Sequence, residues 1–297
     1  MAVNSLAVVG SDVRKDPRLM RIVARGAVHL VIAVICLIWV LPVVGLAVTS
    51  FRTPQDASTS GWWTIFSNLA NLRFDSYFQA ITDGGLPQGI ANSLLITIPS
   101  NIALVAFSTL GGYVFGVMKF RGRNALFLVV ICMMAMPPQL TLAPLFRLFI
   151  QMGIAGTYPA LWIYQAGFTM PLGILILKNF FSALPKDIFE AAEVDGASPA
   201  RMFLSIAVPV SWPGIFSVLI LHFIFSWNDL LAPLVFVGGG AKASIVVQIA
   251  GLATSTSNDN QSLVAASSLI GLIIPLIVFF ALQRYFVKGF LSGSVKG

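Results

Sequence analysis

Four of the eleven acidic side chains in this 297-residue sequence crowd together: Asp187, Glu190, Glu193 and Asp195, against a single Lys186. Their chemistry is recognition, since carboxylates on one surface can meet a partner's Arg or Lys with charge-assisted hydrogen bonds. Ile188, Ala191 and Ala192 take the opposite side, where small apolar groups allow a second surface to come close. A helix lying on the membrane is the plain alternative, but such helices turn Lys and Arg toward anionic lipid. The sign is wrong for that, so a protein partner is expected.

A second set of polar residues stands beside long apolar runs. Asn228 and Asp229 follow one such run, and an ionisable group next to a membrane span is by default a functional candidate. Asp229 lies sixteen residues after Pro213, ~24 Å along a helix, which puts it near the outer surface. A helix-end or gate role and direct contact with a solute both stay open. Gln139, behind Met133, Met134, Met136 and Pro137-Pro138, could line a translocation path or belong to ordinary packing. His222 reads as a packing or hydrogen-bonded residue. Nothing looks catalytic: Gly238 to Gly240 lack the Lys and Ser or Thr of a phosphate-binding loop, so the chain is not expected to bind ATP. Cys36 and Cys132 sit in apolar runs without Cys or His at metal-ligand spacing, and are expected to be small buried hydrophobes; no metal site is expected.

The elements that must position these residues are membrane spans. With 57% hydrophobic and 10% charged residues and a mean hydropathy of +0.89, the composition excludes an ordinary soluble domain. Runs of about 20 apolar residues mark helical spans rather than the short alternating strands of a barrel. Six are expected, at about 27–49, 92–117, 125–148, 158–177, 210–227 and 263–280. The first is read as uncleaved, because it exceeds a signal-peptide core. Pro137, Pro138 and Pro144 should kink or interrupt the third. Residues 50–90 form an outer segment with room for one or two short surface helices, and Trp62 and Trp63 suit the interface.

The acidic stretch falls between spans four and five, in the segment 184–209. It reads as two short helices: Pro185 opens the first, Gly196 ends it, Ser198 caps the second and Pro209 stops it. Fourteen of the eighteen basic residues lie on the side of the termini and of this segment. Only Arg52, Arg73, Arg147 and Lys242 fall outside, which predicts both ends in the cytoplasm. This sorting accounts for the net charge of +7 without nucleic acid. The expected organisation is a cytoplasmic tail over 1–26, a six-span domain over 27–283 and a second cytoplasmic tail over 284–297.

Glu190-Ala191-Ala192, Gly196, Ile206, Val208 and Pro209 have the spacing EAA-x3-G-x9-I-x-V-P. This resembles the EAA signature of ABC importer permeases, with Val208 in place of a leucine. Asn92-Ser93-Leu94, Trp227-Asn228-Asp229 and the run Gln283 to Gly289 are similar to the carbohydrate, maltose-type (MalG-like) branch of that binding-protein-dependent transport family, and the likeness covers roughly 27–297. The resemblance implies an all-α, six-span permease subunit whose EAA loop docks on a cytoplasmic ATPase. Glu190, Ala191, Ala192, Gly196, Ile206 and Pro209 would form the docking segment, with Lys288 and Gly289 of the tail as further contacts. Implied partners are a second permease, an ATPase dimer that holds ATP and Mg, an extracytoplasmic sugar-binding protein and membrane lipid. The chain itself would bind no cofactor. A permease for glycerol phosphate, a polyol or another small solute is the nearest alternative. A stand-alone secondary transporter would need mid-span ionisable residues, which are nearly missing, and an accessory subunit of an enzyme complex gives no reason for the EAA spacing.

Overall fold

The computed structural model describes residues 17–67, 72–254 and 261–294, with side chains over 25–65, 72–254 and 261–285. The described residues are helical, without a strand. In chain order the helices are α1 (Pro17–Ser50), α2 (Pro54–Thr59), α3 (Asp75–Thr82), α4 (Leu86–Gly116), α5 (Arg123–Met133), α6 (Pro138–Gln151), α7 (Tyr158–Ser182), α8 (Lys186–Val194), α9 (Pro199–Met202), α10 (Val208–Val210), α11 (Trp212–Trp227), α12 (Leu231–Phe236), α13 (Ile245–Thr254) and α14 (Gln261–Ser294). Four are long and apolar enough to cross a membrane: α1 from Arg25, α4, α7 and α14 to Tyr285. Two bent pairs, α5 with α6 at 95° and α9–α10 with α11 at 74°, bring the number to six if each pair is one span.

The centre of the bundle is the pair α4 and α7, which glycine lets approach closely. A Cβ at Gly112 would lie 2.6 Å from Cβ of Leu177, and one at Gly116 would lie 2.9 Å from Cβ of Phe181. Two glycines four apart on one face are the arrangement that permits such contact in lipid, where helix association depends on packing and not on the hydrophobic effect. Around this pair α11 packs on α14 and α4, while α1 leans on α14. Most of α1 faces outward, with Leu30, Leu37 and Trp39 exposed, as suits a helix whose solvent is lipid.

Local chemistry explains the starts and breaks. Gly85 takes φ +65° and Pro87 follows in the first turn, so α4 begins at Leu86, six residues before the expected Asn92. Pro137 is extended and Pro138 opens α6, which converts the expected kink into a right-angle turn. Before α11, Pro209 cannot donate to the carbonyl of Ser205, and the preceding turn widens into a π-helix over Phe203–Ala207, closed by Val208 N–H on Phe203 O. Contrary to expectation, Pro209 does not stop the helix. It lies inside α10, and the bend follows at Ser211.

Two features went unanticipated in the long connection after α11. The helix α13 is apolar but has ten residues, about 15 Å, half of what a crossing requires. It is fastened to the start of α4: the Asn92 amide donates to the carbonyls of Ala241 (2.8 Å) and Ala243 (2.9 Å), and Ile245 N–H donates to Ser93 Oγ (2.9 Å). In the segment after α1, Arg52 is buried and donates to the carbonyls of Ser60 (2.9 Å) and Asp56 (2.6 Å), tying α2 to the turn that follows it. Both cysteines are exposed, contrary to the buried role expected for them.

Candidate functional site

At the end of the bundle where α4 and α7 finish, α8 lies across them on aromatic rings. Tyr113 of α4 is the hub, with ring centroids 5.8 Å from Phe181, 6.3 Å from Phe189 and 5.1 Å from Phe203. Phe189 and Ala192, three residues apart on one helical face, turn inward. The opposite face offers Glu190, Ala191 and Val194, which is 88% exposed. The two alanines therefore divide: Ala191 is on the surface, whereas Ala192, expected with it as a docking contact, is buried in the packing beneath. Gly196 adopts φ +76°, and the chain reverses with Gly196 N–H on Glu193 O (3.0 Å) and Ala197 N–H on Ala192 O (2.9 Å). Ser198 then caps α9, accepting from Arg201 N–H at 3.3 Å. Ile206 is half-buried and Pro209 exposed. A cleft of about 320 Å³ runs between α8 and the ends of α4 and α7, with Lys119, Lys186, Glu190 and Glu193 on its walls. Lys288 and Gly289 fall on the last turns of α14, and their side chains lie outside the described residues.

The second site is an open-sided cavity of about 410 Å³ lined by α6, α7, α11 and the start of α12. Gln139 and Asp229, far apart in sequence, meet on its wall with Tyr164, Gln165, Thr169, His222 and Ser226. A hydrogen-bond chain links three of them, Ser226, Gln165 and Asp229. Ser226 Oγ donates to Gln165 Oε1 (2.7 Å), and Gln165 Nε2 approaches Asp229 Oδ2 at 3.4 Å. The other carboxylate oxygen, Oδ1, accepts from the N–H groups of Leu231 (3.0 Å) and Ala232 (3.2 Å) and so caps α12. Asp229 lies just beyond the end of α11, and burial pushes its carboxyl up from the ordinary value, against the hydrogen bonds from Ala232, Gln165 and Leu231 that hold it down.

His222 Nε2 is 3.4 Å from Ser100 Oγ, whereas Nδ1 has no partner among the described residues. Tyr164 and Phe168, one turn apart on α7, stack with centroids 5.9 Å apart and give one wall an aromatic face. Asn228 does not join this set; its amide donates to Ile224 O (2.8 Å) and finishes its own helix. Of the three methionines only Met134 reaches the cavity, while Met133 and Met136 are exposed elsewhere. Gln165, Thr169 and Ser226 were not anticipated. A glutamine within an apolar span was the available signal, because a buried amide in hydrocarbon needs partners. No group of His, Cys, Asp or Glu among the described residues could hold a metal ion.

The fold is a bundle of helices long and apolar enough to cross a membrane, and comparison with known proteins gives its family. Residues 108–292 match the family described as binding-protein-dependent transport system inner membrane component. The osmoprotective compounds uptake permease protein of Synechocystis sp. is 41% identical over 91% of this chain and 91% of its own length. The alpha-glucoside transport system permease protein of Rhizobium meliloti is 37% identical over 75% of this chain and 60% of its own. A solved bacterial ABC transporter involved in the import of the acidic polysaccharide alginate superposes with a TM-score of 0.77 at 18% identity, over 92% of this chain and 98% of that one. The chain belongs to the binding-protein-dependent transport family. It is an inner-membrane ABC importer permease, not an enzyme.

Proposed function

We propose that the chain passes a sugar or oligosaccharide, delivered by an extracytoplasmic binding protein, across the membrane through a path that includes the cavity around Gln139 and Asp229. The carrying observation is that cavity: hydrogen-bonding side chains and an aromatic face meet between the spans of a chain whose relatives include an alpha-glucoside permease. Polar groups with few partners in an otherwise apolar bundle suit a solute that brings its own hydroxyls. A small osmoprotective compound is the second reading, favoured by the Synechocystis relative.

The chain works with a second permease and an ATPase dimer that carries ATP and Mg. The segment 184–209 is the docking element, oriented to the cytoplasm with both termini. Exposed Glu190 and Ala191 meet the ATPase, and Gly196 turns the chain back toward α11. Lys288 and Gly289 add a second contact, and Asn228 holds the end of α11 beside the path. Supporting this is the aromatic contact under α8, where Phe189 meets Tyr113 of α4 and offers a route for a push on the helix to reach the bundle.

Reconstitution with the partner permease, ATPase and binding protein in liposomes tests the reading. ATP-dependent accumulation of a labelled oligosaccharide that disappears when the ATPase is omitted is the expected result. Accumulation driven by an ion gradient without ATPase subunits would contradict it.

A further inference from the structure

The hydrogen-bond inventory of the α6–α7–α11 cavity says more about the solute than that it is polar. Asp229 is the wall's only carboxylate, and neither Lys nor Arg lines it among the described residues. Its Oδ1 is occupied by two backbone N–H groups, but Oδ2 has only the long contact to Gln165. An ionised carboxylate accepts and never donates, so the vacant lone pairs call for a donor. His222, 1% exposed, adds an Nδ1 without a partner among the described residues. An unpartnered buried polar atom is costly, and a ligand that satisfies it recovers that cost. Alcohol O–H groups meet both needs, while a phosphate or carboxylate brings negative charge toward negative charge. At ~5 Å and an effective dielectric of ~20, that repulsion corresponds to a loss of affinity on the order of a hundred-fold. The rings of Tyr164 and Phe168 complete the wall with a flat surface for the C–H face of a sugar ring.

We propose that this cavity selects uncharged, hydroxyl-rich solutes and rejects anionic ones, with Asp229 imposing the charge selection and His222 pairing with a solute hydroxyl. The inference rests on the cavity being part of the solute path. It narrows that reading, since glycerol phosphate is rejected while glycerol or a neutral glycoside is admitted. The fold itself does not decide the matter, because the solved importer of similar fold handles an acidic polysaccharide.

The test uses the assembled permease–ATPase complex in nanodiscs without a binding protein, so that delivery cannot supply the selectivity. In a Cys36→Ser, Cys132→Ser background, Thr169→Cys places a thiol on the cavity wall, and its rate of alkylation reports occupancy. The probes are matched pairs: methyl α-glucoside with methyl α-glucuronide, and glycerol with glycerol phosphate. The neutral member of a pair should slow alkylation at least several-fold while its anionic partner leaves the rate unchanged. In Asp229→Asn, which keeps the cap on α12, the anionic members should protect as well as the neutral ones. In His222→Ala, protection by neutral solutes should weaken about ten-fold, as expected for one lost hydrogen bond, without anions being admitted. Equal protection by both members in the unmutated wall would overturn the charge selection and leave the sugar reading standing, as would an Asp229→Asn variant that still discriminates. Unchanged His222→Ala protection would remove His222 from the proposal. A reactive thiol that no probe protects would overturn the solute path and this inference together.

Discussion

Trp227, Asn228 and Asp229 show how three consecutive side chains acquire separate duties. Trp227 is buried and donates to Gly271 O at 3.1 Å, locking α11 to α14. Asn228 ends α11, and Asp229 starts α12 while facing the cavity. Substitutions should separate accordingly. Trp227→Ala removes a large core side chain and should cost about 3–5 kcal/mol of stability, read as a lower melting temperature of the purified subunit. Gln165→Ala leaves Ser226 and Asp229 each short of a partner, and should cost about 1–3 kcal/mol while lowering solute-dependent transport. Wild-type transport with an unchanged melt would remove Gln165 from the path. At the docking face, Glu190→Lys should weaken ATPase association at least ten-fold, the scale of one charge-assisted hydrogen bond, because it reverses the charge offered to the partner. Unchanged affinity in a pull-down titration would exclude Glu190 from the contact.

Helix pairing is governed by what glycine and proline permit. Gly112 and Gly116 bring α4 onto α7, and the aromatic cluster around Tyr113 reaches α8 through Phe189. Along the chain α11 joins α8 through a π-turn and a 74° bend at Ser211, while its Ile215 and Val218 pack in the same cluster as Tyr113 and Phe181. Gly112→Val should therefore force α4 and α7 apart, costing ~1–3 kcal/mol and uncoupling ATP hydrolysis from uptake. A variant with normal melting and normal coupling would show that the close approach is dispensable. The spans, the proline break and the Gly196 reversal were legible in the sequence because each depends on local chemistry: hydropathy, a missing N–H or a positive φ. The pairing of α13 with Asn92 and Ser93 was not, since it joins residues some 150 positions apart and is invisible to periodicity. The same limit applied to the cavity. Gln139 and Asp229 could be singled out by residue type, but only folding places them with Gln165, Ser226 and His222.

For the molecule as a whole, the two sites lie on a shared body. The helix α8, proposed as the docking element, rests on the ends of α4 and α7, and α7 carries Tyr164, Gln165, Phe168 and Thr169 into the cavity. Closure of an ATPase dimer against α8 would move that wall relative to Asp229 and His222, which are held by α11 and α12. Alternating access then requires only that the two walls shift as bodies, with Ser211 absorbing the change. The docking claim is most directly tested by site-specific crosslinking in the assembled complex, using single-cysteine variants in the Cys36→Ser, Cys132→Ser background. Ala191→Cys, on the exposed face, should crosslink to the ATPase in high yield, and Ala192→Cys, packed toward α4 and α7, should not. Crosslinking at neither position, or at Ala192→Cys alone, would contradict the assignment of this face to the ATPase.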